Sequence, residues 1–363
     1  MAELGEQHAR IDQELWEAVR TVVDSSSFIG GKWVETFEDD FARSQESADF
    51  VSCGNGTDAL FIALKALGVG PGDEVVTTAH SWFSTAEVIS LCGASPVFVD
   101  VDDYFHLNPD ALEDAVNERT KAIIGVHLFG QVFDAPAVAS FAQRAGVALI
   151  EDSAQAHGAS LDQRPVGSWG MAATFSFFPG KNLGAWGDAG GIATNDLDFA
   201  SECRRFARHG GLKKHEHQIP GLNSRLDAIQ AAVLRVKLPY LKAWNARREV
   251  IASMYRDRLA HIPQIELPLV RSGARHVWHQ FAILVDDRMQ LRAFLEDRGV
   301  ETAIHYPRAL PFTPAYEHLG YGPESLPRAW SNQRRILSLP IYPEMTDDQA
   351  EYVVECLLTH YGP

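Results

Sequence analysis

The sequence predicts an α/β protein with a mainly parallel central sheet and a smaller C-terminal α+β lobe. Three observations predict it. Short apolar runs alternate with helical runs between about residues 57 and 177. Most of those runs are apolar throughout, as strands covered on both faces are, rather than alternating with polar residues. Beyond about residue 262 the texture changes to separate strand and helix signals around a Pro-rich loop.

Each element has its own signal. Ile11, Leu15, Ala18 and Val22, spaced by three and four, predict an opening helix over 8–24. TDALFIALKAL predicts a helix over 57–67, introduced by the turn-rich CGNG. Strands follow over 74–78, 95–101, 121–128, 147–152 and 171–177, with helices over 85–93, 109–116 and 136–146 between them. GDAGGIATN reads as a turn and a strand. A long helical stretch begins near Ser224, and Pro239 breaks or kinks it. A strand over 276–285, a helix over 288–299 closed by Gly299, and a last helix from Asp347 complete the chain. The lobe boundary falls near 235–245, giving a large α/β domain, 1–240, and a small α+β domain, 241–363.

Composition excludes several classes. The 363 residues are 46% hydrophobic and 22% charged, which is enough apolar surface to fold. With 32 Lys and Arg against 48 Asp and Glu, the net charge is −16, the wrong sign for a nucleic-acid backbone binder. A local group of N–H donors can still take a small anion. Cys53, Cys92, Cys203 and Cys356 are scattered with no C-x-x-C pair, so zinc ribbons and dithiol redox chemistry are not expected. No apolar run reaches 18 residues, and the charged N-terminus does not resemble a signal peptide. The expectation is a soluble cytoplasmic protein with no membrane or nucleic-acid partner and no metal.

Ligands of open parallel sheets bind beyond the carboxyl ends of the strands, so those positions matter most. Gly54-Asn55-Gly56-Thr57 opens a helix. It is either an anion site built from free N–H groups and the Thr57 hydroxyl, or a plain turn with Thr57 as N-cap. Trp82, past the 74–78 strand, is either core or a flat face for an aromatic ligand. The apolar 147–152 strand ends in Glu151-Asp152, with Gln155 and His157 close behind. A carboxylate there needs a partner. Ser176 ends the next strand and is followed by Phe178-Pro179-Gly180-Lys181-Asn182-Leu183-Gly184. A lysine in such an apolar Pro-Gly turn is prepared by desolvation to form a Schiff base. Together an anion site, a flat aromatic, a carboxylate and a lysine match the needs of pyridoxal phosphate.

NGTDAL (55–60), HSWFSTAEVI (80–89), EDSAQAHGA (151–159), FSFFPGKNLGAWGDAGG (175–191), ARHG (207–210), NSRLDAIQAAVL (223–234), IHYP (304–307), PAY (314–316) and LSLPIYP (337–343) point further. In these motifs the chain resembles the DegT/DnrJ/StrS family of pyridoxal-phosphate-dependent sugar aminotransferases, of the fold type I superfamily. The resemblance implies a homodimer with shared active sites. It makes Lys181 the Schiff-base lysine and Asp152 the partner of the pyridine nitrogen. Gln155 would contact the ring hydroxyl and Trp82 would stack on the ring. Gly56, Thr57 and Ser176 would hold the phosphate, joined by Asn223 from the partner subunit. The cofactor, pyridoxal 5′-phosphate, would alternate with pyridoxamine 5′-phosphate. L-Glutamate would be the donor and a nucleotide-linked keto-sugar the acceptor, for glycan (such as lipopolysaccharide O-antigen) or natural-product synthesis. The turn FPGKNLG resembles that of members aminating C3, so a dTDP- or UDP-linked 3-keto-deoxyhexose is expected. A 4-keto-sugar and a keto-inositol are the alternatives.

Around this core other residues stay open. Arg225 either binds an anion or pairs with an acid such as Asp227, and His305 and Tyr306 either line the sugar site or start a turn. Arg225, Arg208, Lys213, Lys214 and Arg308 are candidates for positive groups at the mouth. His209, His215 and His217 lie in a polar loop and are read as solvated. Where the family commonly has His after HYP, this chain has Pro311, which bears on the substrate-facing loop.

Overall fold

The computed structural model describes residues 4–362. The opening segment forms two helices rather than the single one expected over 8–24. These are α1 (Leu4–Ala9) and α2 (Asp12–Asp24), separated by a turn at Arg10 and Ile11. Ile11, Leu15, Ala18 and Val22 are all buried, so the periodicity was sound and only the break was missed. The sequence reading also missed α3 (Lys32–Ser44), whose Val34, Phe37, Phe41 and Ala42 form a buried stripe after Gly30-Gly31.

Then come β1 (Asp49–Cys53), α4 (Gly56–Ala66), β2 (Glu74–Thr78), α5 (Ser84–Leu91) and β3 (Ser95–Val99). A 3₁₀ turn leads into the short α6 (Leu112–Ala115), where a longer helix was expected. β4 (Thr120–Val126), α7 (Ala135–Ala145) and β5 (Ala148–Asp152) continue the alternation. The two-residue strands β6 (Ser160–Leu161) and β7 (Arg164–Pro165) precede β8 (Ala172–Ser176) and β9 (Gly190–Thr194). Next are α8 (Leu197–Ala207), α9 (Ala228–Lys237) and α10 (Leu241–Leu259). Pro239 sits in the 3₁₀ turn between α9 and α10. The strand expected over 276–285 is shorter. β10 (Ala274–Arg275) joins the small β6–β7 sheet, and only β11 (Phe281–Leu284) enters the C-terminal lobe. There α11 (Arg288–Glu296), α12 (Pro327–Arg335), β12 (Ile336–Leu339) and α13 (Asp347–Tyr361) complete the chain.

Seven strands form the central sheet in the order β1-β9-β8-β5-β4-β2-β3. β3, β2, β4, β5 and β8 are parallel, and β9 is antiparallel to both β8 and β1. The register fixes which ends meet. Cys53 of β1 pairs with Gly190, and Gly190 pairs with Ser176 of β8. The carboxyl ends of β1 and β8 therefore lie at one edge with the start of β9 between them. Asp152 of β5 pairs with Thr174 and with Val126 at that same end.

Period-two alternation sets the faces of β8. Phe175 and Phe177 point into a cluster with Phe37, Phe41 and Phe50, the Phe41–Phe50 centroids being 4.7 Å apart and the Phe41–Phe175 centroids 5.0 Å. Ser176, between them, is left half-buried on the other face. A separate core unites Ile251, Tyr255 and Leu259 of α10 with Trp278, Phe281, Leu291, Leu337 and Val353. The β11–β12 pair lies in that core.

Gly190 is required by packing. A Cβ there would lie 2.3 Å from the backbone carbonyl of Asn55, because the start of α4 presses directly on β9. Gly190→Ala is expected to lower the unfolding free energy by about 1–3 kcal/mol by overpacking, measured by urea titration of the cofactor-free protein. A loss indistinguishable from zero would mean that α4 has room to move.

Candidate active site

The carboxyl edge of β1, β5 and β8 collects the expected residues. The start of α4 comes first. Asn55, not Thr57, is the N-cap: its Oδ1 accepts the Asp58 N–H at 2.8 Å. The first intrahelical bond is Ala59 N–H to Asn55 O, so the Gly56 and Thr57 N–H groups precede the helical ladder. The Thr57 hydroxyl is spared from capping and lies 2.7 Å from the Ser84 hydroxyl. Gly56 lies against Ser176, where a Cβ on Gly56 would come within 2.6 Å of the serine Cβ. Two hydroxyls and a helix start thus border a cradle that a side chain at position 56 would fill. That is the chemistry of an anion site.

The turn after β8 is a closed loop. Lys181 N–H donates to Phe178 O at 2.9 Å, and Ala185 N–H donates to Phe177 O at 2.8 Å. Asn182 is buried and donates to Asn245 Oδ1 and to the Val277 carbonyl, both at 2.8 Å. His279 Nδ1 lies 3.1 Å from Asn182 Oδ1. Burial pushes the Lys181 amine down to about 8, although Asp152 pulls the other way. The histidines around it are held neutral. Burial first, then the lysine charge, brings His157 to about 3 and His305 to about 4, and puts His279 far below its usual value.

The adjacent carboxylates of β5 take opposite roles because side chains alternate along a strand. Glu151 accepts hydrogen bonds from Gly167, Trp169 and Gly170 N–H at 2.7–2.9 Å and lies 2.9 Å from His127 Nε2. Burial raises its pKa, but these bonds outweigh it and the net direction is down. It ties the sheet to the 167–170 loop. Asp152 is also buried, yet its donors are neutral: Ala154 N–H at 3.1 Å and the Thr85 hydroxyl at 3.3 Å. Burial wins there, and its pKa is raised in spite of Lys181 nearby. A buried carboxyl lacking a cationic partner suits a protonated ring nitrogen.

Gln155 is fixed at both ends. Its Oε1 accepts Phe129 N–H at 2.7 Å and its Nε2 donates to the Tyr306 hydroxyl at 2.9 Å. Tyr306 N–H donates to His80 Nε2 at 3.0 Å, so buried His80 holds the 305–306 segment over the β2 end. His305 Nδ1 lies 2.9 Å from the Ser338 hydroxyl. Trp82 is not core: it is 58% exposed, with its ring 5.8 Å from that of Tyr306. Ser84, Thr85, Asn182 and His279 were missed by sequence reasoning. The first two lie inside HSWFSTAEVI, but nothing in a single sequence marks the Ser84 hydroxyl as meeting Thr57 or the Thr85 hydroxyl as facing Asp152.

The other candidates lie outside this edge or at its rim. Residues 223–228 alternate, with Asn223, Arg225 and Asp227 exposed and Ser224, Leu226 and Ala228 buried. The Ser224 hydroxyl accepts Gly54 N–H at 2.9 Å and donates to Asp58 at 2.6 Å, which hooks this segment to the α4 loop. Asn223 pairs by backbone with Arg208. Arg225 forms no ion pair among the described residues, Asp227 included. Lys213 pairs with Glu216 at 3.8 Å, while Lys214 and Arg308 are exposed. His217 Nδ1 lies 2.8 Å from the His209 carbonyl, within a loop in which His215 is also exposed. Pro311 is buried in a 3₁₀ turn, whose Leu310 N–H donates to Ala79 O at 2.8 Å.

Known proteins share this architecture. The family model of the DegT/DnrJ/EryC1/StrS aminotransferases matches residues 9–358. A pleiotropic regulatory protein of Geobacillus stearothermophilus is 44% identical, with 99% of this chain and 98% of the relative covered. The dTDP-3-amino-3,4,6-trideoxy-alpha-D-glucose transaminase of Streptomyces venezuelae is 41% identical, over 94% of this chain and 90% of that one. The crystal structure of S. venezuelae DesV in complex with a ketimine intermediate superposes with a TM-score of 0.97 at 39% identity, covering 100% of this chain and 98% of that chain. A match running from residue 9 to residue 358, on a fold shared from end to end, means that the chain belongs to the DegT/DnrJ/EryC1/StrS aminotransferase family.

Proposed function

We propose that this aminotransferase uses pyridoxal 5′-phosphate to move an amino group from L-glutamate to the keto carbon of a nucleotide-linked sugar, C3 of a dTDP- or UDP-linked keto-deoxyhexose. The observation that carries the reading is the register Cys53–Gly190–Ser176, with Asp152 on β5 at the same edge. It gathers an anion cradle, a buried acid and a depressed lysine on one rim. When bound, the cofactor supplies a carbonyl for the amino group and a protonated ring that draws electrons from the donor α-carbon.

The chain's residues divide the remaining work. Gly56 and Thr57 N–H groups and the Thr57 and Ser176 hydroxyls hold the phosphate. Asp152 accepts the ring N–H and keeps that proton in place, and the Thr85 hydroxyl steadies Asp152. Gln155, clamped by Phe129 and Tyr306, fixes the ring's edge, and the exposed face of Trp82 covers its plane. Lys181 Nζ anchors the cofactor. Its freed amine would carry the proton from the donor α-carbon to the cofactor carbon within the same half-reaction, and would run the same transfer backwards with the keto-sugar. The neutral His157, His279 and His305 add no positive charge to compete with the lysine for Asp152.

A second copy of the chain completes the site in this reading. Asn223 is exposed while Ser224 anchors the segment, and Phe28, Ile29, Leu212 and Ile219 are exposed apolar residues for a partner to cover. The lobes are divided within 235–245, since the separate C-terminal core takes up α10 from Ile251 onward. Cytoplasmic placement fits four free, buried cysteines, and no described helix is long and apolar enough to cross a membrane. The regulatory name of the G. stearothermophilus relative suggests a non-enzymatic role, against which the depressed Lys181 counts. C3 is favoured by the product name of the S. venezuelae transaminase.

Lys181→Ala is expected to fold, to retain affinity for pyridoxamine 5′-phosphate and to lose turnover by about 10³-fold or more. Wild-type-like conversion of glutamate by this variant would sink the lysine assignment. The cofactor-free protein gives a second test. Only the uncharged amine reacts with an aldehyde, and its fraction falls tenfold per pH unit below about 8. The rate of pyridoxal 5′-phosphate capture is expected to rise from pH 6.5 to 8 and level off above, measured by stopped-flow absorbance. A rate still climbing past pH 10 would mark an ordinary solvated lysine. The acceptor is tested with glutamate and matched 3-keto and 4-keto nucleotide sugars. NMR is expected to place the new C–N bond at C3, and amination at C4 alone would correct the position but not the reaction.

A further inference from the structure

Lys237 is a buried cation that the reaction leaves unused. It is the last residue of α9, and none of its surface is exposed. Its Nζ donates to the Gly184 carbonyl at 2.8 Å and lies 2.9 Å from His8 Nε2. The Trp186 indole N–H also donates to His8 Nε2, at 3.2 Å, so that nitrogen is an acceptor and His8 is neutral with its proton on Nδ1. Burial brings Lys237 to about 8, with Glu344 opposing, and burial followed by the Lys237 charge lowers His8.

A buried ammonium satisfied by a backbone carbonyl and a neutral imidazole is costly, and an apolar residue would be cheaper for folding. What the lysine does geometrically is specific. Gly184 closes the turn around Lys181, since a Cβ there would lie 2.3 Å from the Pro179 carbonyl oxygen. The entry side of the turn is held by Asn182 through Asn245 and Val277. On the exit side the fixed points are Gly184 on Lys237 and Trp186 N–H on Gln230 Oε1 at 2.8 Å. Both exit partners come from α9. α1 lies over this contact through His8, and Trp186 packs 5.5 Å from His8 and 5.2 Å from Trp16 of α2.

We propose that Lys237 is a positioning residue for Lys181, pinning turn 178–185 through the Gly184 carbonyl, with His8 of α1 as the second acceptor that keeps its ammonium in place. The catalytic consequence rests on the reading of Lys181 above, whereas the pinning does not.

The test is Lys237→Met, which conserves length and apolar bulk and removes the donor. Hydrogen exchange of peptides spanning 178–186, followed by mass spectrometry on the cofactor-free protein, reads the pinning. Single-turnover reaction of the cofactor-loaded protein with L-glutamate reads its consequence. Faster exchange confined to 178–186 is expected, with a single-turnover rate lower by about 10- to 100-fold per loaded site and half-saturation by glutamate within about threefold of wild type. Wild-type exchange in 178–186 overturns the pinning. A loosened turn with a wild-type rate overturns the positioning role. Failure of the wild-type chain to load cofactor on Lys181 would refute the reading of that lysine instead, and the exchange result would still decide the pinning. Should Lys237→Met not fold, His8→Leu takes its place. Faster exchange at 178–186 with a rate lower by about three- to tenfold supports the proposal, and wild-type values in both overturn it.

Discussion

The site depends on a carboxyl group buried without a charged partner. Asp152 ends a strand covered on both faces, and its hydrogen bonds come from an amide and a hydroxyl. Burial raises the pKa of such a group, and a cationic neighbour is what favours its ionised form. Its neighbour Glu151 shows that the fold can satisfy an acid fully at this depth, with three backbone N–H donors and His127. The proposed role of Asp152 rests on the contrast between these two consecutive carboxylates.

Everything else at the rim is arranged around that vacancy in charge. Lys181 is the nearby cation, and burial weakens its hold on a proton. The surrounding imidazoles are neutral, so the lysine neither loses Asp152 to a competitor nor is repelled from it. The aromatic cluster under β8 makes this possible. Phe175 and Phe177 lock the strand face, which leaves Ser176 toward Gly56 and sends the chain into a turn whose both ends are tied down.

Close backbone approach is the second constraint. Gly56, Gly184 and Gly190 each lie where a Cβ would meet backbone or a neighbouring Cβ at 2.6 Å or less. They bring α4, β8 and β9 near enough for one small anion to touch groups from separate elements. The C-terminal lobe adds His305 and Tyr306, steered by His80 from the large lobe. The two parts of the chain also share apolar packing, Ala79, Phe98 and Val101 lying in one cluster with Leu310, Tyr316 and Leu326.

The parallel sheet was legible because its strands are short apolar runs, and the motifs were legible because glycine, proline, lysine and carboxylate sit at strand ends. Lys181, Asp152, Gln155, Gly56, Thr57, Ser176 and Trp82 were singled out at strand ends and given roles by resemblance, His305 and Tyr306 were left open, and the fold brings them near one another. The sequence could not show that Asn55 rather than Thr57 caps α4, since the choice between the two polar residues that flank Gly56 depends on backbone angles. Nor could it divide 8–24 into two helices, because Arg10 and Ile11 break no propensity rule. Lys237, His8, Asn182 and Asn245 looked like ordinary helix and loop residues. Their contacts span 53 to 229 positions of sequence. Local periodicity determines which face of an element is apolar. Only the packed sheet decides which distant polar groups are buried together, because that depends on register and close approach, which no single stretch of chain contains.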